Sequence, residues 1–249
     1  AGVRFGSDLN AYTSFDQTVY QLPIPSDDPE LLKNGLQVMR DWAQDALLDG
    51  EEIDKERGVI LEEKRGGRGV QQRLQDQYFP MLLNGSLYSK RLPIGTEQIL
   101  KTFPYTEIRK FHQDWYRPDL QALIIVGDID PKEMEERVKV MFSDMKMPKK
   151  ALERKKYRVD LLNKNQFLAI SDPELPYTVA QILIKSEKEK VSTVGDYRNE
   201  LLKSVFNQMI AGRFSELMQQ PNPPFMQAGG SISDFVANLN TFSFKPPKK

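Results

Sequence analysis

Between residues 146 and 156 the sequence reads KMPKKALERKK, a run dominated by lysine and arginine that interrupts the apolar periodicity on either side of it. A segment this charged has no stripe to bury. It therefore divides the 249 residues into two units, each of which must assemble its own core. Basic runs also bind anionic surfaces, but a solvated linker is the commoner use of such a stretch. The expected organisation is a first domain over 1–148, a linker over 149–156 and a second domain over 157–249.

Ahead of the linker, QTVYQLPI (17–24) mixes β-branched and aromatic residues in alternation and ends in the turn-rich PIPSDDPE, which predicts a strand followed by a helix start. Residues 29–48 carry Leu31, Leu32, Leu36, Val38, Met39, Trp42, Ala43, Ala46 and Leu47 at helical spacing, up to the breaker Asp49-Gly50. Asp49 is placed to cap a second helix, with Glu52 three residues on as in a capping box. The helical pattern resumes in QQRLQDQYFPMLL, where Pro80 predicts a kink or an end. Short paired helices are expected over 97–115, broken at Phe103-Pro104. A buried strand is expected in QALIIVGDID, then a helix over about 131–143 with Pro131 in its first turn. Beyond the linker, QFLAIS (166–171) and TVAQILIKS (178–186) read as strands, 192–219 as a long helix and PFMQAGGSISDFVANLNTFSF as strand again. The fold class this predicts is α+β, with helices covering one face of an antiparallel or mixed sheet.

Several chemistries are closed to these residues. Lys+Arg and Asp+Glu number 35 each, so no global basic field favours nucleic acid. There is no cysteine, hence no disulfide, thiolate nucleophile or thiolate metal site, and no apolar run approaches the roughly 20 residues of a spanning helix. GGRG at 66–69 lacks both the Lys-Ser/Thr of a phosphate loop and a preceding strand. His112 is the only histidine; it lies beside the Ile108, Phe111 and Trp115 stripe of a helical pattern and reads as structural or surface.

One arrangement stands out. Glu56 and Glu63, seven apart, fall within about 20° of each other on one helical stripe, with Val59 and Ile60 between them. Two carboxylates beside apolar residues need compensation. Either the face is solvated and Lys55, Arg57, Lys64 and Arg65 neutralise it, or it faces a hydrogen-bond network, a cation or a metal.

FGSDLNAYTSFDQTVYQLPIP (5–25), ERGVILEEKR (56–65), RLPIGTEQIL (91–100) and FHQDWYRPDLQALIIVGDID (111–130) occur in this order, and together they resemble the pitrilysin/insulinase family of zinc metallopeptidases, especially its bacterial members. The match covers most of residues 1–145; residues 156–249 match mainly in the order of their elements. The resemblance implies pitrilysin-like two-layer domains and hydrolysis of peptides held in extended conformation, by a water that zinc makes nucleophilic. In the family an inverted motif, His-x-x-Glu-His, supplies two ligands and the general base, and a downstream glutamate supplies the third ligand. That glutamate matches Glu63, and the family's accompanying acidic residue one helical repeat earlier matches Glu56, a supporting carboxylate that orients a histidine ligand. Asn10, Ala11, Tyr12 and Thr13 match the strand whose backbone pairs with substrate. Its plainer alternative is an ordinary edge strand.

No His-x-x-Glu-His occurs in this sequence, and by the family's spacing it would precede residue 1. The expectation is thus an incomplete piece of a peptidase, inactive alone, not binding zinc tightly, and needing the remainder of its parent chain or a homologous subunit. Exposed apolar surface would favour self-association. The resemblance inclines the compartment towards the periplasm or export. The alternatives are a non-catalytic homologue acting as scaffold or peptide-binding partner, and an unrelated α+β binding module.

Overall fold

A computed structural model describes residues 10–223, 225–236, 239–245 and 247–248. The chain forms two compact units, one comprising residues up to Arg65 with Pro93–Lys155, the other Gly66–Leu92 with the residues from Lys156 onward.

In the first unit, β1 (Asn10–Thr13) and β2 (Thr18–Gln21) form an antiparallel hairpin in which Asn10 faces Gln21 and Thr13 faces Thr18. Ser14 N–H donates to the Gln17 carbonyl at 2.8 Å to close the turn. Helix α1 (Pro29–Arg40) starts where Asp28 accepts from the N–H groups of Glu30 and Leu31 at 2.9 and 3.0 Å, with proline where no N–H is needed. Its buried face presents Gly35 against Ile24 so closely that a Cβ there would lie 2.4 Å from Ile24 Cδ1.

The helix expected to reach residue 48 is shorter. After Arg40 the chain widens into a π-helical turn (Asp41–Asp45), and Leu47 lies 93% exposed. The widened turn brings two polar groups to partners. Asp45 meets Arg40 Nη1 at 2.9 Å, while Arg40 also donates through Nε (3.1 Å) and Nη2 (2.7 Å) to Asp144 Oδ1. Gln44 brackets one residue, donating to Lys146 O and accepting from Lys146 N–H, each at 2.8 Å. A buried guanidinium shared by two carboxylates thus ties the end of α1 to the residues after α7 (Pro131–Phe142).

Helices α2 (Gly50–Gly66), α5 (Glu97–Thr102) and α6 (Tyr105–Trp115) complete the first unit, the last two separated at Phe103-Pro104 as the sequence predicts. The buried strand predicted in QALIIVGDID is not found. Residues 121–126 carry no strand pairing, and Ile124 and Val126 are 81% and 92% exposed. The segment's side chains nonetheless alternate in burial, and Leu123 and Ile125 line an apolar groove with Met134 and Val138 of α7. What is missing, among the described residues, is a neighbouring strand to take its backbone groups.

In the second unit, α3 (Val70–Leu82) runs two residues past Pro80 and leads to α4 (Leu87–Lys90) through Asn84 and Gly85, whose φ values are +51° and +66°. Leu83 and Val159 are fully buried and Tyr88 nearly so, and the Tyr88 hydroxyl donates to Tyr157 O at 3.4 Å. Asn84 donates to Asp160 O, and Lys185 Nζ donates to Leu82 O (3.0 Å) and Asn84 Oδ1 (2.8 Å). At the other end of α3, Arg73 forks onto Asp172 at 2.7 and 2.8 Å and also meets Glu174. This ion pair holds the Asp172 carboxyl down at about 2.

The main sheet has the order β4-β6-β5, all antiparallel: β4 (Ile182–Glu187), β5 (Gly229–Val236) and β6 (Leu239–Lys245); β3 (Thr178–Val179) and β7 (Pro247–Lys248) form a separate antiparallel pair. Residues 166–171, also predicted as strand, are unpaired, and Phe167 is 90% exposed. Helix α8 (Val194–Met218) begins with a reciprocal Thr193/Asp196 capping box and packs on β5. Asn207 of α8 behaves as a short strand. Its side-chain amide donates to Ile232 O and its carbonyl accepts from Ile232 N–H, both at 2.8 Å. Gly230 allows this approach: a Cβ there would lie 3.0 Å from Ile210 Cδ1.

The fold class is α+β, with a small antiparallel sheet covered on one side by helix. Among the described residues no helix is long and apolar enough to cross a membrane. Replacing Asn207 by Leu leaves both Ile232 groups unsatisfied against an apolar side chain. The expected loss is about 2 kcal/mol of stability, read as a lower urea midpoint; an unchanged midpoint would mean that water serves Ile232 equally well.

Candidate functional site

Helix α2 takes its start from Asp49, whose carboxylate accepts from Glu51 N–H and whose carbonyl accepts from Ile53 N–H, both at 2.9 Å. The reciprocal half of the expected capping box does not form, because Glu52 instead accepts from Lys55 Nζ. Gly50 is needed here: a Cβ would lie 2.9 Å from Tyr105 Cε2. Tyr105 uses this closeness to donate its hydroxyl to Asp54. That hydrogen bond, with a second from Arg57, lowers the Asp54 carboxyl below its ordinary value, and the same bond raises the Tyr105 hydroxyl.

The helix presents two stripes. Ile53, Arg57, Ile60 and Lys64 pack inward, Ile53 buried and the others partly so; Glu52, Glu56, Val59 and Glu63 all face solvent, with Val59 58% exposed. Each stripe follows the +4, +3, +4 spacing of one helical face. Val59 and Ile60, which the sequence places together between the glutamates, thus part company: Val59 stays with the carboxylates and Ile60 turns to the core.

The four cations that could neutralise Glu56 and Glu63 are otherwise engaged. Lys55 holds Glu52 at 2.5 Å, Arg65 reaches Glu62 at 3.5 Å, and Lys64 Nζ donates to Gly95 O at 2.6 Å. Arg57 donates to Asp54 (2.9 Å), Leu100 O (2.6 Å) and Phe103 O, with its guanidinium over the Phe103 ring at 3.7 Å from the centroid. Glu56 and Glu63 therefore share an open face without an ion pair or hydrogen bond among the described residues. Sequence reasoning named Arg57 and Lys64 only as possible counterions. The signal that they anchor the helix was present in their own seven-residue spacing, one position after each glutamate.

Asn10, Ala11, Tyr12 and Thr13 form β1, with all four residues exposed. β2 occupies one side of β1, and no other described strand pairs with it. Among the described residues its other side is therefore an open edge, the feature that lets an extended peptide add as a strand.

His112 lies on α6, half-buried, its ring stacked on Tyr116 at 4.2 Å between centroids. Tyr116 in turn shares a 2.7 Å hydrogen bond with Tyr20, whose ring packs 5.4 Å from Trp42. The imidazole is a core residue of this aromatic row. Burial lowers its pKa, and Asp45 opposes that shift only in part. Its Nε2 is buried without a hydrogen-bond partner. Among the described residues no three His, Asp or Glu side chains converge as metal ligands. A catalytic zinc takes three protein ligands, so the donors present do not complete such a site, and no reaction step follows from this chain's residues alone.

Two family models match consecutive parts of the chain: "Insulinase (Peptidase family M16)" over residues 3–94 and "Peptidase M16 inactive domain" over residues 102–221. The chain is 30% identical over 244 residues to a "Zinc protease PQQL-like" of Arabidopsis thaliana, covering 98% of this chain and 26% of that protein. It is 33% identical over 220 residues to "Probable zinc protease PqqL" of Escherichia coli (strain K12), covering 85% and 23%. The crystal structure of the first half of the periplasmic protease PqqL from Escherichia coli superposes with a TM-score of 0.87 at 28% identity, over 100% of this chain and 53% of that one. The chain thus spans about a quarter of the length of these curated relatives.

The half-buried imidazole is expected to make the first unit acid-sensitive. Folding lowers the His112 pKa below its unfolded value of about 6.5. Its contribution is therefore intact above that value and is lost as pH falls from there towards the folded pKa. Between pH 7 and 5 the melting temperature should fall more steeply for the parent than for His112→Phe, which keeps the stack on Tyr116 but cannot take a proton. Parallel slopes would show that His112 is already free to protonate.

Proposed function

This chain belongs to the insulinase family of peptidases, and we propose that it forms part of a zinc-dependent endopeptidase that cleaves peptides held in extended conformation. Glu63 is the carboxylate ligand of a zinc completed by imidazoles that this sequence does not contain. Glu56, one helical repeat earlier on the same open stripe, supports a histidine ligand by hydrogen bonding. β1 offers Asn10, Ala11, Tyr12 and Thr13 as the edge to which substrate adds as a strand. The observation that carries the reading is the pairing of Glu56 and Glu63 on a solvent-facing stripe whose neighbouring cations are all bound elsewhere. A carboxylate left without a counterion retains its charge for a ligand.

The same proposal covers the division of the sequence into two similar domains, 1–148 and 157–249, joined by 149–156, although residues 66–92 cluster with those from 156 onward. It also covers the inactivity and weak zinc binding of this chain when isolated, and its association with further polypeptide or with itself through exposed apolar surface. A periplasmic location accords with the named location of the Escherichia coli protease to which it is similar. A second reading, a non-catalytic homologue that serves as scaffold or peptide-binding partner, draws on the match of residues 102–221 to an inactive-domain model.

Zinc titration calorimetry separates the two. The peptidase reading expects weak binding by this chain, unchanged in Glu63→Gln. It expects tight binding by a polypeptide carrying His-x-x-Glu-His ahead of this segment, with Glu56→Gln weakening it by about 10–100-fold and Glu63→Gln by more. Tight binding that ignores Glu63, or no binding by the longer polypeptide, favours the scaffold.

A further inference from the structure

We propose that Arg57 and Lys64 are positioning residues: they set the rotation of α2 about its own axis, so that Glu56 and Glu63 stand outward together. Its functional meaning rests on the reading of those glutamates given above; its geometry does not. Each cation follows one of the glutamates in sequence, and seven residues separate the members of each pair. The cation stripe therefore lies about 100° round the helix from the carboxylate stripe over its whole length.

Apart from the Tyr105–Asp54 hydrogen bond in its first turns, what holds α2 against its neighbours is a thin apolar contact. Ile53 is its single buried residue among those described, with Ile60 half-buried. Apolar contact is non-directional, and so it tolerates a helix rolling in place. Directional bonds do not. Arg57 Nη1 donates to Leu100 O at 2.6 Å and Nη2 to Phe103 O, the two carbonyls at the end of α5. They form the electronegative terminus of that helix, and Phe103 stacks beneath the guanidinium at 3.7 Å. Lys64 Nζ donates at 2.6 Å to Gly95 O, just ahead of α5, where the chain turns with φ +74°.

The two anchors stand about 10 Å apart along the helix axis, so together they oppose both roll and tilt. The required precision shows why this matters. At a side-chain radius of roughly 5–6 Å, a 20° roll displaces a carboxylate by about 2 Å, several times the roughly 0.5 Å tolerance of a ligand constellation.

The absence of cysteine from the sequence allows a direct test. Val59→Cys, on the carboxylate stripe, and Gln98→Cys, on α5, are labelled with nitroxides, and the distance between them is measured by double electron–electron resonance. The parent should give one narrow distribution. Arg57→Met with Lys64→Met should broaden it by about 2 Å or more, the displacement of a 20° roll, while the circular dichroism and the cooperativity of unfolding are retained. Lys64→Arg, which still reaches one carbonyl, should restore the narrow distribution. Arg57→Lys, which cannot fork onto two, should restore it only in part. A distribution as narrow in the double variant as in the parent overturns the proposal. If the double variant does not fold, Lys64→Met alone decides: broadening supports the proposal and an unchanged width overturns it. The readout involves neither metal nor peptide, so its failure leaves the role of Glu63 untouched, and failure of zinc binding in the longer polypeptide leaves this result standing.

Discussion

Main-chain carbonyls at helix ends and in the turns between helices lack a partner in regular structure, and in this molecule long cationic side chains from elsewhere in the sequence supply several of them. Arg57 takes the carbonyls of Leu100 and Phe103, Lys64 that of Gly95, Lys185 that of Leu82, and Arg109 that of Leu48. Each contact satisfies a main-chain acceptor and joins segments distant in sequence, and at Leu82, Leu100 and Phe103, where helices end, it also matches charge to the helix dipole. Fully buried residues are few, so these directional contacts carry the arrangement that a larger apolar core would otherwise impose. Lys185 shows the cost. Its ammonium is held by neutral acceptors alone, and burial lowers its pKa.

The candidate site follows from the same economy of charge. Lys55, Arg57, Lys64 and Arg65 lie in sequence where they could neutralise Glu56 and Glu63, yet every one of them is committed to a different acceptor. The bare carboxylate pair is therefore a by-product of how α2 is tethered.

Much of this was legible in the sequence because it depends on local rules. The turn-rich PIPSDDPE and Pro131 mark helix starts, Phe103-Pro104 marks a break, and the heptad separation of Glu56 and Glu63 places them on one stripe. The failures share a different origin. Residues 121–126 and 166–171 have strand composition, but a strand exists only when another backbone lies beside it, and that is a fact about the rest of the polypeptide rather than about the segment. Helix α1 stopped short for a similar reason. The periodicity of 29–48 is genuine, but Arg40 finds its partners in Asp45 and Asp144, and no one-dimensional pattern announces a contact a hundred residues away. Whether a carboxylate is bare or paired was likewise undecidable, because it depends on the main-chain acceptors that compete for its neighbours.

The amide of Asn207 has a consequence for how this sequence can change over time. It occupies a helix position but meets the requirements of a strand residue: one donor and one acceptor, fixed in a plane, at the distance of a neighbouring peptide group. Among the natural side chains only glutamine offers the same pair of groups, and its extra methylene would push α8 away from β5, where Gly230 has removed even a Cβ to let the helix close in. Positions 207 and 230 are thus coupled. Drift at either one is confined by the other, and a longer amide at 207 becomes admissible only in a lineage whose helix has already moved outward.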